Sequence, residues 1–120
     1  MGFEIDSSKL MFTALRFNDR INQQDPEGLA ELMTDDHKFI DSLGNIIMGR
    51  DAVKECWREF FKKYPEYRNK FTSVSVLDNI VVMVGCSTCS SRQLEGPSVW
   101  TAKIREDRVS EWRVFWLNER

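Results

Sequence analysis

Pro65 divides this chain into two stretches with different hydrophobic periods. Before it, Val53, Cys56, Trp57, Phe60, Phe61 and Tyr64 recur at offsets of three, four, seven, eight and eleven residues, the spacing of one buried helix face. After it the pattern alternates by two, the period of a strand with one covered side. Proline ends the helix, because the residue before it is pushed out of the helical region. Gly49-Arg50-Asp51 starts that helix, and its charges, Lys54, Glu55, Arg58, Glu59, Lys62 and Lys63, read as the solvated face.

Two helices precede it. Leu10, Ala14, Phe17 and Ile21 keep helical spacing, with Asp6, Ser7 or Ser8 available as cap. Asp25-Pro26 opens a shorter helix that buries Leu29, Leu32 and Met33, since aspartate caps free amides and proline is tolerated at the first helical position. Between helices, His37 to Asp41 reads as a short strand, followed by the turn Ser42-Leu43-Gly44-Asn45 and a second strand at Ile46 to Met48. Past Pro65, Phe71 to Leu77, Ile80 to Ser90, Ser98 to Arg105 and Val109 to Leu117 are strands, with turns at Asp78-Asn79 and Glu106-Asp107. With no repeats or internal linkers, residues 1–120 form one α+β domain. Three helices packed on one strongly curved, mostly antiparallel sheet of five to six strands would cover these apolar faces.

Seventeen basic and nineteen acidic residues leave a net charge of -2, which gives no electrostatic reason for nucleic acid or an anionic membrane as partner. A small apolar molecule is the more natural ligand. The three cysteines cannot all pair within the chain, and Cys86 and Cys89 point to opposite strand faces. Free thiols in a reducing compartment, and no metal, are the expectation. Met1 to Lys9 lacks the basic start and apolar run of a secretory leader, so a cytoplasmic location is expected.

Asp41 is the residue with most chemical interest. Alternation places His37, Phe39 and Asp41 on one strand face. A carboxylate beside a phenyl ring is either a desolvated acid of raised proton affinity, poised for proton transfer, or a strand-end cap for the following turn. Both readings stand at this level. His37 either pairs with Asp35 or Asp36 or tunes Asp41. Trp112, Val114 and Trp116 alternate on one face, which Ser98, Trp100, Ala102 and Ile104 share. These rings either fill a core or wall an aromatic cavity. The cavity reading gives a lining of Phe17, Met33, Phe39, Asp41, Trp57, Trp100, Trp112 and Trp116. Val99, Thr101, Arg113, Phe115 and Leu117 fall on the opposite face, too apolar for open solvent, so a twofold dimer through the outer sheet face is expected.

The order of elements resembles the nuclear transport factor 2-like superfamily, in particular its SnoaL-like and ketosteroid-isomerase-like members. Asn22-Gln23-Gln24-Asp25 with Leu29 and Leu32 looks like the early helix-turn-helix. Asp36 to Gly44 resembles the first strand and turn, Gly49-Arg50-Asp51-Ala52-Val53 the start of the third helix, and Trp112 to Trp116 the closing strand. The resemblance implies a cone with an internal pocket, no cofactor, and Asp41 in the position of a proton-shuttling aspartate, with His37 near it. The oxyanion hole of the isomerases, a tyrosine and a protonated aspartic acid, does not carry over: Phe17 and Trp100 stand where those groups are expected. Loss of such a donor costs about 3 kcal/mol of barrier, which argues against steroid isomerisation. The two-histidine chemistry of scytalone-dehydratase-like relatives fails on the lone His37. The Arg-x-Asp of limonene-epoxide-hydrolase-like relatives matches Arg105-Glu106-Asp107 only in spelling, because that segment reads as a turn. An isomerase-, cyclase- or dehydratase-like acid/base enzyme for an apolar carbonyl or polycyclic compound remains, beside a non-catalytic domain that binds a hydrophobic ligand or dimerises.

Overall fold

The computed structural model describes residues 6–117. Helix α1 (Ser7–Asn22) is capped by Asp6, whose carboxylate accepts from the amides of Ser8 and Lys9, and it buries Ala14, Phe17 and Ile21. Helix α2 (Pro26–Glu31) begins as the sequence implies, with Asp25 accepting from Gly28 N–H and proline in the first turn. Strands β1 (Met33–Ile40) and β2 (Ile46–Met48) follow, then α3 (Arg50–Lys63). A meander of β3 (Arg68–Leu77), β4 (Ile80–Thr88), β5 (Gly96–Arg105) and β6 (Arg108–Trp116) completes the domain. No helix among the described residues is long and apolar enough to cross a membrane.

The strands form one six-stranded sheet in the order β2-β1-β6-β5-β4-β3. Every neighbouring pair is antiparallel except β1 and β6, which run parallel. The sheet is therefore mixed and open. The tight connections are those the sequence marks: Asp78, Glu106 and Asp107 adopt positive φ in the two hairpin turns, a conformation that aspartate tolerates better than most residues.

Alternation places Val81, Met83, Trp100, Ala102, Ile104 and Trp112 on the inner face, where all are buried. Helix α1 lies against β3 to β6, and α3 against β1 and α2. Phe17 fills the space between α1 and the sheet, 4.7 Å from Trp112 and 5.6 Å from His37 between ring centroids. Burying side chains of this size contributes about 1.5–3 kcal/mol each, which is what secures the helices on the sheet. Gly85 permits the close approach of β3: a Cβ there would stand 2.0 Å from the Lys70 carbonyl oxygen. The β3–β4 register also shifts at this point, between Phe71 and Ser73.

Strand β1 is longer at its start than alternation from His37 suggests, and it is irregular. Met33 pairs with Val109 but Lys38 with Glu111, so the segment between them bulges away from β6. The imidazole of His37, inside the bulged segment, reaches across to β6, with Nδ1 2.7 Å from Val109 O. Since a carbonyl only accepts, Nδ1 carries the proton and Nε2 is the bare nitrogen.

Candidate functional site

Beyond the packed core, the inner face of the sheet and α3 leave a cavity of about 370 Å³, within the size range of small-molecule sites. Phe39 of β1 and Ile47 of β2 form one side; Val53, Cys56, Trp57 and Phe60 of α3 form another. Trp100 of β5 and Trp112, Val114 and Trp116 of β6 make the sheet wall. Tyr67 and Leu94 complete the enclosure, and Asp41, Ser42 and Leu43 contribute from the β1–β2 turn.

The wall is a set of interlocking rings. Trp57 meets Phe39 edge-on at 5.4 Å and Phe60 at 5.7 Å, and lies tilted against Phe61 at 5.4 Å. Phe60 in turn meets Tyr67 edge-on at 4.9 Å, and Phe71 supports Trp100 from behind at 5.1 Å. Edge and tilted contacts of this kind fix ring orientation more sharply than aliphatic packing does.

Asp41 follows the last residue of β1. Its Oδ1 accepts from the amides of Leu43 and Asn45, both at 2.9 Å, and its Oδ2 accepts from the Asn45 side-chain amide at 3.0 Å. Gly44 N–H donates to the Asp41 carbonyl and Asp41 N–H to the Asn45 carbonyl. The carboxylate thus organises its own turn and also stands in the cavity lining. It is the one carboxylate among the described lining residues.

A second polar system lies behind Tyr67. Its hydroxyl is 3.1 Å from Ser87 Oγ, Ser87 donates to Asn69 Oδ1 at 2.9 Å, and Asn69 Nδ2 donates to Asn18 Oδ1 at 3.1 Å. Asn22 closes the array by exchanging two bonds with the Asn69 backbone. Buried and mutually satisfied, these groups tie α1 to β3 and β4 and fix the position of Tyr67.

Several expected placements need correction. His37 does not reach the cavity: it is fully buried, stacked on Phe17 and bonded to Val109, and pairs with neither Asp35 nor Asp36. Burial pushes its imidazole down to about 4, against the opposing influence of the Val109 carbonyl. Asp36 is instead held by Arg105, whose guanidinium lowers that carboxyl to about 2. Phe17 and Met33 also lie outside the lining, both wholly buried in the core. Phe17 is enclosed by His37 and Trp112, and Met33 starts β1 beside Val109. Phe39, Asp41, Trp57, Trp100, Trp112 and Trp116 do meet in one lining.

Sequence reasoning missed Val53, Cys56 and Phe60 as wall residues, although the signal was present: they share the apolar face of α3 with Trp57. Tyr67 and Leu94 carry no periodic signal, because neither lies in a helix or strand.

A sequence profile of the SnoaL-like domain family matches residues 14–112. No curated protein matches the chain. Among solved structures, an LEH-like epoxide hydrolase from M. tuberculosis superposes with a TM-score of 0.80 at 12% identity, over 92% of this chain and 84% of that one. A candidate ketosteroid isomerase from Kribbella flavida DSM 17836 gives 0.79 at 18% identity, over 96% and 82%. A candidate SnoaL-like polyketide cyclase from Jannaschia sp. CCS1 gives 0.78 at 18% identity, over 96% and 90%. At such identities the structures speak for the fold, and the profile for the family. With its three helices on an open six-stranded mixed sheet and a family match that runs from α1 into β6, this chain belongs to the SnoaL-like domain family of the nuclear transport factor 2-like fold.

Proposed function

We propose that this SnoaL-like domain binds a small, largely apolar ring compound in the cavity between α3 and the sheet. The observation that carries the reading is the wall itself: Phe39, Trp57, Phe60, Trp100, Trp112 and Trp116 surround a space of about 370 Å³ that the protein's own side chains leave open. Apolar walls of this kind favour a flat hydrocarbon frame over water. Titration with 2-ethylnaphthalene, followed calorimetrically, tests it. Saturable binding is expected for the natural sequence and its loss in Val114→Phe, which fills the space. No heat of binding at any accessible concentration would overturn the reading.

A second reading adds chemistry at the same place. Asp41 is the carboxylate of the described lining, and among the described residues its Oδ2 is tied only to the Asn45 side chain. Release of that one bond would free an oxygen to take a proton from the carbon beside a bound ketone's carbonyl, as an isomerase- or cyclase-like reaction requires. The structural likeness to proteins described as a ketosteroid isomerase and a polyketide cyclase supports this class. Exchange of the methyl protons of 2-acetylnaphthalene in D₂O, followed by NMR, reads the step directly. Acceleration by the protein that disappears in Asp41→Asn supports a proton shuttle; equal rates with and without protein exclude it.

Twofold pairing through the outer sheet face completes the proposal. Phe115 is 37% and Leu117 56% exposed there, beside half-buried Val99 and Thr101. The Arg113 guanidinium lies 4.5 Å over the Phe115 ring, and its Nε is enclosed without a hydrogen-bond partner among the described residues. A face of this composition is better covered than wet.

A further inference from the structure

The polar groups around the cavity differ in how far they are already engaged. Asp41 uses both carboxylate oxygens in its turn. Ser87 gives its single hydroxyl hydrogen to Asn69 Oδ1, so in the 3.1 Å contact it is the Tyr67 O–H that donates and Ser87 Oγ that accepts. The phenol's hydrogen is thereby directed toward a residue outside the lining, not toward a ligand.

Trp57 is the contrasting case. It is 7% exposed, lies in the lining, and its Nε1 is enclosed with no hydrogen-bond partner among the described residues. An indole nitrogen can only donate. The rings around it, Phe39, Phe60 and Phe61, supply no acceptor. A phenylalanine would fill most of the same space without burying an unsatisfied donor, so the N–H carries a desolvation penalty that packing does not explain.

We propose that Trp57 is the specificity-determining residue of this cavity, its indole N–H donating to one oxygen acceptor, a carbonyl or ether, on an otherwise apolar ring ligand. The inference rests on the cavity being a ligand site. Trp57 lines the cavity while its nitrogen is shielded, and a turn of the ring about its side-chain torsions would present that nitrogen to a ligand, a side-chain adjustment of the kind that commonly accompanies binding. The bond forms in a dry, apolar setting, where leaving a built donor unmatched discriminates strongly between ligands with and without the acceptor. Selection then runs against the ligand's own solubility. A ketone is better hydrated than the matching hydrocarbon and would bind more weakly to a purely apolar cavity, whereas the Trp57 donor reverses that order.

The test compares 2-acetylnaphthalene with 2-ethylnaphthalene, which differ in a carbonyl against a methylene, by calorimetry on the natural sequence and on Trp57→Phe. The natural protein is expected to prefer the ketone by about tenfold, and Trp57→Phe to lose or invert that preference while still binding the hydrocarbon. In ¹H–¹⁵N spectra the Trp57 indole resonance, assigned by its absence from the variant, is expected to shift downfield with the ketone and not with the hydrocarbon. If Trp57→Phe fails to fold, benzothienylalanine at position 57 keeps the ring shape without the N–H and replaces it. Hydrocarbon binding with no preference for the ketone, or a preference that survives loss of the N–H, overturns the role of Trp57 and leaves the cavity reading standing. Failure of both probes to bind overturns the two together.

Discussion

Asp41 and Asn45 hold each other by backbone and side chain at once: Asp41 Oδ1 accepts the Asn45 amide at 2.9 Å while Oδ2 accepts its carboxamide at 3.0 Å. The turn between β1 and β2 is therefore set by one carboxylate. Asp41→Ala, which removes all three side-chain bonds, should lower stability by about 1–2 kcal/mol, as loss of a cap does. Asp41→Asn keeps an oxygen for the Leu43 and Asn45 amides and should cost roughly 0.5 kcal/mol. Urea unfolding of the two variants checks the ranking, and an equal loss in both would contradict it.

His37 should make the protein sensitive to mild acid. Its folded pKa of about 4 lies below the ordinary value of 6.5, so between these two pH values the unfolded chain takes up a proton that the folded one refuses. Stability is expected to fall as pH drops from about 6.5 toward 4, by roughly 3 kcal/mol in all. The exposed Asp36, lowered by Arg105 to about 2, adds a further loss below its ordinary value of 3.8. Replacing His37 with Gln should flatten the upper part of the profile, measured as denaturation midpoints across that range.

Gly85→Ala should be disproportionately harmful for a single methyl group. The added carbon would meet the Lys70 carbonyl oxygen at 2.0 Å, and backbone on both sides must separate to admit it. A loss of about 1–3 kcal/mol is expected, with β3 the first strand to lose amide protection in hydrogen exchange. A melting temperature unchanged from the natural protein would show that β3 yields freely.

Phe115→Glu should separate the proposed pair of subunits. Placing a carboxylate at the centre of an apolar contact leaves it desolvated across a twofold axis from its own copy. Sedimentation at micromolar concentration should give a dimer for the natural sequence and a monomer for the variant, with unchanged circular dichroism. A monomer in both cases removes the proposal.

The helices and five of the six strands were legible because each has one covered face and a clear stop: Asp6 and Asp25 cap, Pro65 terminates, and Asp78-Asn79 and Glu106-Asp107 turn. Strand β1 was read only from His37 onward. Its bulge is a response to β6, some seventy residues further along, and no local pattern in Met33 to Asp36 announces it. His37 does point inward as alternation implies, but there it meets Phe17 and the Val109 carbonyl in the packed core rather than the open cavity. Phe17 was expected in the cavity lining, but inward from α1 meets packed side chains rather than open space. The tryptophans followed their strand period to the wall, and the space they enclose depends on how far α3 stands from the sheet, which no pattern along one chain reports.

The parallel contact between β1 and β6 also determines when the cavity can exist during folding. The four strands of the meander, β3 to β6, can pair in sequence through two tight turns and one seven-residue loop as they emerge. Joining β1 to β6 instead closes a loop that contains α3 and the whole meander, at a chain-entropy cost no local contact offsets. Phe39 and the Asp41 turn approach the tryptophan wall only through that closure. Until the last strand is in place, the chain has helices and hairpins but no cavity, and Trp112 and Trp116 have only one side of their future enclosure. Ligand present early in refolding should therefore leave the rate of hairpin formation unchanged and act only on the final, slowest step.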